Sequence, residues 1–431
     1  MLVANIAKDV CMQAQELSPV TFLSLKIAGQ ELKNRLVLSP MCTYSATNGV
    51  ADDFHLSHLA RFAMGGFGLV FVEATAVTKD GRITHGDLGL WEDKQVEGLA
   101  RIVKQVQSFH AKAGIQLAHA GRKSSMQRPW HGNGPLGASD LARDEQSWAI
   151  VGPSEEPLDE GWLKPHALSL DELHELVQQW KQAALRAEIA GFDVLEIHAA
   201  HGYLLHQFLS PLSNHRRDCY GGTRENRMRL TVEVAEAVRS AWPAHKPLFV
   251  RISATDAAPG GWDPDDSVAL ALALKRVGVD VIDCSSGGLT GAQASTGLPR
   301  GLGFQVHLAR KVAQEAQIPT MTVGLIVLPE QVEDIVSSGA ASLVAIGRAA
   351  LHDPNWPLHA RESLQESAGH DDWPIQHGWW LERRKKVLSA ALASARGAGS
   401  LSTTTAQLQS CRSGDKPDLA PCTTLKQTSN D

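Results

Sequence analysis

Val194-Leu-Glu-Ile-His-Ala-Ala-His-Gly-Tyr203 is the stretch on which the reading turns. Its first five residues make a short apolar run of strand length, and Gly202 then marks a turn. Two imidazoles three residues apart, His198 and His201, and the hydroxyl of Tyr203 therefore sit at one strand's C-terminal end. Working outward, similar runs recur over 35–39, 68–75, 115–119, 248–252, 281–284, 320–324 and 343–346. Between them lie stretches of helical spacing such as 170–190, 225–242, 264–277, 304–316 and 329–338, most with a Gly or Pro stop. Ser169 with Glu172 three residues on is a capping box, and Asp263 precedes a proline at the first helical position. Eight strand–helix repeats predict an α/β fold, a (β/α)8 TIM barrel.

In such a barrel, chemistry belongs on the loops after the strands' C-terminal ends. The residues there are Pro40, Met41 and Cys42, Glu73 to Thr75, Gln116 and His119, His198, His201 and Tyr203, Arg251, and Gly347 with Arg348. The stretch 122–167, after the third strand, has no period, much Gly and Pro, and three tryptophans, Trp130, Trp148 and Trp162. An excursion of that length in a compact domain reads as a functional cap.

With 431 residues the chain has room for two or three domains or for one large barrel. The strand count favours one barrel over 21–386, preceded by an extension over 1–20 and followed by a low-complexity tail over 387–431. That tail has no aromatic residue and is expected to be disordered. A formal charge of −6 without a basic block argues against a nucleic-acid surface or a membrane patch. The six cysteines lie far apart with no CxxC pair, which suits reduced thiols and a cytoplasmic location. The N-terminal residues lack the apolar core of a secretory signal, and nowhere do about 18 apolar residues run together.

Two neighbouring imidazoles can present two N–H donors to one ligand oxygen and stabilise negative charge developing there. A metal pair completed by Glu196, as in a barrel hydrolase, is the rival reading, and buried structural histidines are the third. Arg251 lies inside the apolar run 248–252. An unpaired charge there costs several kcal/mol, so it needs a carboxylate such as Asp256 or a cofactor that becomes anionic. Gly324 and the Gly347–Arg348 pair end the last two strands, where barrels hold phosphate groups. No GxGxxG fingerprint follows a strand.

Several motifs carry a resemblance: Ser39-Pro-Met-Cys-Thr-Tyr44, Glu73-Ala-Thr-Ala-Val77, Gln116-Leu-Ala-His-Ala-Gly-Arg-Lys123, His198-Ala-Ala-His-Gly-Tyr203, Ser210-Pro-Leu-Ser-Asn-His-Arg-Arg-Asp-Cys-Tyr-Gly-Gly222 and Glu225-Asn-Arg227. The chain resembles the Old Yellow Enzyme family of flavin-dependent ene-reductases, in its thermophilic-like subgroup, over roughly Thr21 to Arg384. The resemblance implies FMN along Ser39, Pro40, Met41 and Cys42, with Ala74 and Gln116 at its pyrimidine ring. It puts Arg251 beside N1 and O2, and Gly347 with Arg348, near Gly324, at the phosphate. Cys42 is implied as a tuner of flavin potential. The substrate would meet His198, His201, Tyr44 and Tyr203, with Tyr203 giving the proton. NADPH or NADH would reduce the flavin and leave, and an α,β-unsaturated carbonyl compound would then take the same seat. A nitro compound, quinone or other xenobiotic is the alternative substrate class.

Two departures from that pattern stand out. Pro374, Ile375 and Gln376 lead to His377, Gly378, Trp379 and Trp380, with Trp379 in place of an arginine the subgroup shares between subunits. That resembles the xenobiotic-reductase branch and makes Trp379 a candidate wall of the substrate pocket. The expected assembly is a homo-oligomer, a dimer or tetramer. Cys219 stands where an acidic residue is usual.

Overall fold

Eight parallel strands close on themselves in the computed structural model, which describes residues 18–289 and 298–397. They are β1 (Leu36–Leu38), β2 (Leu69–Ala76), β3 (Lys112–Ala118), β4 (Val194–Ala199), β5 (Leu248–Ser253), β6 (Val281–Ser285), β7 (Thr320–Thr322) and β8 (Leu343–Ile346). Each pairs with its neighbours in chain order, and β1 pairs with both β8 and β2, which closes the barrel. All eight expected strands are present. The seventh is shorter than expected because the backbone turns to a left-handed φ of 117° at Gly324.

The surrounding helices are α1 (Asp53–Met64), α2 (Val96–Gln107), α3 (Leu170–Ala190), α4 (Arg224–Ala241), α5 (Pro264–Arg276), α6 (Val306–Ala316), α7 (Pro329–Ser337) and α8 (Trp356–Leu364). Side-chain caps set several starts: Asp52 accepts from Phe54 N at 3.1 Å, Ser169 from Glu172 N at 3.3 Å and Asp263 from Asp266 N at 2.9 Å. The spacing leaves α1 and α2 unassigned, although α2 buries Leu99, Ile102, Val103 and Val106 at helical intervals.

Two apolar layers hold the barrel. Outside, the helices pack on the outward strand residues in one continuous core. Inside, Val37, Leu69, Phe71, Val194, Phe249, Val281, Met321 and Leu343 fill the N-terminal half. A hairpin, Leu25–Ile27 with Gln30–Leu32, adds Ile27 and Leu32 to that inner cluster and plugs this end. With the bottom closed by hydrocarbon, polar inward-facing residues are confined to the C-terminal mouth.

The chain divides into two compact units between Ala368 and Gly369. In the second, a helix runs over Ile375–Gly397. The folded chain therefore extends past Lys386 through an alanine-rich stretch of high helix propensity. The remainder of the expected tail, 398–431, and most of the N-terminal extension, 1–17, lie outside the described residues. Among the described residues no helix is long and apolar enough to cross a membrane.

Candidate active site

Period-two alternation builds the site. Val194 of β4, Phe249 of β5 and Val281 of β6 belong to the inner apolar layer. Two residues further on, the same inward face carries Glu196, Arg251 and Asp283, and two further still His198, Ser253 and Ser285. In register Arg251 lies opposite His198 on one side and Asp283 on the other. Gln116 of β3 lies opposite both Ala74 and Glu196.

Arg251 is buried, with its Nε 3.0 Å from Asp283 Oδ2 and its Nη1 donating to Ser39 Oγ at 3.5 Å. The Asp283 contact is an ion pair without hydrogen-bond alignment, so Nε remains without an aligned acceptor. Gln116 Nε2 donates to Glu196 Oε1 at 2.8 Å, while Glu196 Oε2 has no partner. Burial pushes both carboxyls above their usual range; Asp283 raises Glu196 further, and Arg251 opposes both shifts. The charge partner of Arg251 is thus Asp283. Asp256 is engaged elsewhere, accepting from His206 Nε2 at 2.8 Å and from Ser210 Oγ at 2.6 Å.

The histidine pair forms as the strand ends. His198 Nδ1 accepts the Ala200 N–H at 3.2 Å, which assigns the proton to Nε2, and Nε2 lies 3.3 Å from His201 Nδ1. His201 Nε2 stands 2.7 Å from Ser285 Oγ, and Ser253 Oγ accepts the His201 N–H at 2.9 Å. Burial first, and then the Arg251 charge, hold both imidazoles far below their usual range. They are neutral hydrogen-bond donors at physiological pH.

Tyr203 follows, its ring edge-on to His198 at 4.9 Å between centroids. Burial above all, with the Asp87 charge beside it, keeps its phenol well above the usual range, so it holds its proton. Lys123 Nζ lies 5.7 Å from the Tyr203 ring centroid and donates to His201 O at 2.8 Å and to Gly288 O. Burial and the Arg122 charge bring this ammonium down to about 8.

From the other side comes the loop after β1. A register shift between Val72 and Ala74 bulges β2 at Glu73. Glu73 Oε2 accepts from Thr43 N at 3.0 Å and from Thr43 Oγ1 at 2.6 Å, which pins the Cys42–Tyr44 turn. Burial raises Glu73 to about 8 against those bonds. Cys42, Tyr44, Tyr203 and Trp162 pack on Ile83, Ala120 and Met126. Burial, then Glu73 and Asp87, push the Cys42 thiol well above its usual range, so it stays protonated.

A cavity of about 410 Å³ opens beside Arg251 and Ser285, its wall including Ser286, Gly287, Gly324 and Arg348. At Gly324 a Cβ would come within 2.6 Å of Gln305 Nε2, so only glycine lets the backbone pass there. Arg348 is exposed at the start of the short helix Arg348–His352. Guanidinium groups on one cavity wall, one buried without an aligned acceptor on Nε, suit an elongated anion such as FMN.

The structure therefore brings together Cys42, Tyr44, His198, His201 and Tyr203, and on the cavity side Ser39, Arg251, Gly324 and Arg348. Met41 lies beside Gly347, whose Cβ would be 3.6 Å from Met41 Sδ. Trp379 belongs to the second unit, where it is 49% exposed, edge-on to Trp380 and covered by the Arg383 guanidinium 3.2 Å from its ring. Among the described residues no three His, Cys, Asp or Glu side chains stand where they could share a metal ion. Asp283 and Lys123 escape the sequence reading. The first carries the same signal that singles out Arg251, a charge inside a buried strand; the second lies in a quoted motif but has no telling spacing.

The comparisons with known proteins agree with this geometry. Residues 21–367 match the NADH:flavin oxidoreductase / NADH oxidase family. The chain is 43% identical over 363 residues to the NADPH dehydrogenase of Bacillus subtilis (strain 168), covering 83% of this chain and 98% of that one. It is 44% identical over 348 residues to the NADPH dehydrogenase of Listeria innocua serovar 6a, covering 80% and 95%. The old yellow enzyme homologue from Zymomonas mobilis superposes with a TM-score of 0.66 at 25% identity, over 81% of this chain and 93% of that one.

Proposed function

We propose, from the premise that this chain belongs to the NADH:flavin oxidoreductase / NADH oxidase family, that it reduces the activated C=C bond of α,β-unsaturated carbonyl compounds. It is an FMN-dependent NAD(P)H oxidoreductase on an Old Yellow Enzyme-type barrel. The observation that carries the substrate reading is the pairing of two neutral imidazole donors with a phenol held protonated against one of them.

Ser39, Pro40, Met41 and Cys42 would hold one side of the flavin, Ala74 and Gln116 its pyrimidine ring, and Arg251 the part that becomes negative on reduction. Gly324, Gly347 and Arg348 would hold the phosphate. FMN, when bound there, would supply hydride transfer between NADPH or NADH and the β-carbon of the substrate. A carbonyl oxygen between His198 and His201 replaces their mutual contact and accepts from both rings. The pair thereby stabilises the enolate charge without giving up a proton, as neutral imidazoles do. Tyr44 closes the seat opposite, and Tyr203 delivers its proton to the α-carbon. Cys42, kept as a thiol, adjusts the flavin's environment rather than attacking the substrate. A nitro or quinone oxygen fits the same donors, but its reduction needs no proton on carbon.

Anaerobic titration tests the reading. NADPH should bleach the yellow protein and 2-cyclohexenone should restore the colour stoichiometrically; a bleached protein that the enone leaves colourless would refute it. His198→Ala should weaken binding of 4-hydroxybenzaldehyde, whose phenolate oxygen meets the pair, by about 10- to 100-fold, the cost of one hydrogen bond to a charged group. An unchanged dissociation constant in a spectral titration would remove His198 from the oxygen site.

A further inference from the structure

The excursion between β3 and α3 reaches the site through one side chain. Arg128 Nε donates to the Tyr44 carbonyl at 3.0 Å, and its Nη1 is ion-paired with the buried Glu145 carboxylate. Glu145 sits in a closed charge cluster. Arg143 Nε donates to Glu145 at 3.4 Å, Arg143 also binds Asp140, and Asp140 accepts from Gln127 Nε2 at 2.9 Å and from Gly137 N at 2.8 Å. Two residues beyond Arg128, Trp130 lays its ring edge-on to Tyr44 at 6.0 Å between centroids.

Tyr44 has a φ of 52°, a left-handed conformation that strains a non-glycine residue and persists only where surroundings enforce it. Within the turn, Glu73 takes both Thr43 and the Tyr44 backbone N–H, so the amide side of the strained residue is held from β2 and its carbonyl side is left to other groups. What grips the Tyr44 carbonyl is Arg128, with Gly86 close behind: a Cβ on Gly86 would stand 2.2 Å from Tyr44 O and 2.7 Å from Arg128 Nε.

We infer that Arg128 is a positioning residue, which fixes the strained Tyr44 turn and so makes the excursion part of the substrate seat. The inference rests on the reading of Tyr44 as a substrate group. Arg128 itself touches no reacting atom; it acts through the Tyr44 backbone, with Glu145 fixing the guanidinium. The excursion thereby determines specificity by setting how far the Tyr44 hydroxyl reaches toward the ligand oxygen.

The test is a double-mutant cycle on the flavin-loaded enzyme, with R128Q, Y44F and R128Q/Y44F, read as the dissociation constant of 4-hydroxybenzaldehyde and as KM and kcat for 2-cyclohexenone. R128Q should weaken the phenol and raise the enone KM about 10-fold, leave the rate of flavin reduction by NADPH within about 2-fold, and have no further effect once Tyr44 is Phe. R128K should restore part of the affinity, and E145Q, which removes the guanidinium's anchor from the far side, should reproduce R128Q at smaller size. Multiplying effects of R128Q and Y44F would overturn the positioning role while leaving Tyr44 in the seat. An unchanged phenol affinity in Y44F would instead overturn the role of Tyr44, and the inference with it.

Discussion

Tyr203→Phe should slow reoxidation of the reduced enzyme by 2-cyclohexenone by about 10²–10⁴-fold, the range a positioned general acid supplies, while flavin reduction by NADPH should keep its rate. The two half-reactions separate because only one of them needs a proton on carbon. Tyr203 is suited to that step in two ways. Its phenol sits well above the usual range through burial and the Asp87 charge, so it is fully protonated at any working pH. The neighbouring imidazoles are held neutral by burial and Arg251, so neither competes as the acid. Phe keeps the ring that packs edge-on to His198, which isolates the hydroxyl as the variable. Stopped-flow measurement of each half-reaction decides the matter: equal loss in both would remove Tyr203 from the proton's path. A quinone substrate should lose far less than the enone, since it needs no proton on carbon.

How far the sequence carries this picture depends on the range of the interaction being read. The barrel is legible because eight apolar runs of strand length are local features, and so are the caps at Ser169 and Asp263. The His198–His201–Tyr203 group is legible because its members share one strand end. Arg251 and Asp283 are each a charge in an apolar run, but that they are partners is hidden, since they become neighbours only through the β5–β6 register. The strained Tyr44 turn is hidden for a similar reason: Arg128 lies 84 residues away along the chain, and only the folded excursion brings it to the Tyr44 carbonyl. The plug hairpin leaves a faint trace, two short runs joined at Gly29, and its role as the barrel's floor depends on strands from the whole chain.

Arg251→Leu should release the flavin and destabilise the flavin-free protein by about 3–5 kcal/mol near pH 8, the cost of leaving a buried carboxylate without its cation. Leucine fills much of the volume, so the loss is mainly one of charge. Asp283 then faces the barrel mouth with no counter-ion, and Glu196 two residues along β4 loses the guanidinium that opposes its own upward shift. The direction with pH follows. Burial already raises both carboxyls above their unfolded values, and removing Arg251 raises them further. A group raised on folding contributes stability that is fully present below its unfolded value and is lost as pH climbs through the folded one. The variant's deficit should therefore be largest at pH 8 and shrink toward pH 5, where the carboxyls are protonated. The imidazoles act in the same sense, because Arg251 helps hold His198 and His201 neutral, and its removal eases their protonation in acid. Urea midpoints of flavin-stripped wild type and variant across pH 5–8 measure this without the stabilisation that bound FMN adds. Asp283→Asn in the Arg251→Leu background should recover part of the loss at pH 8 and little at pH 5. A deficit of the same size at every pH would mean that Arg251 serves packing and flavin contact alone, and that the buried ion pair is not what holds this end of the barrel together.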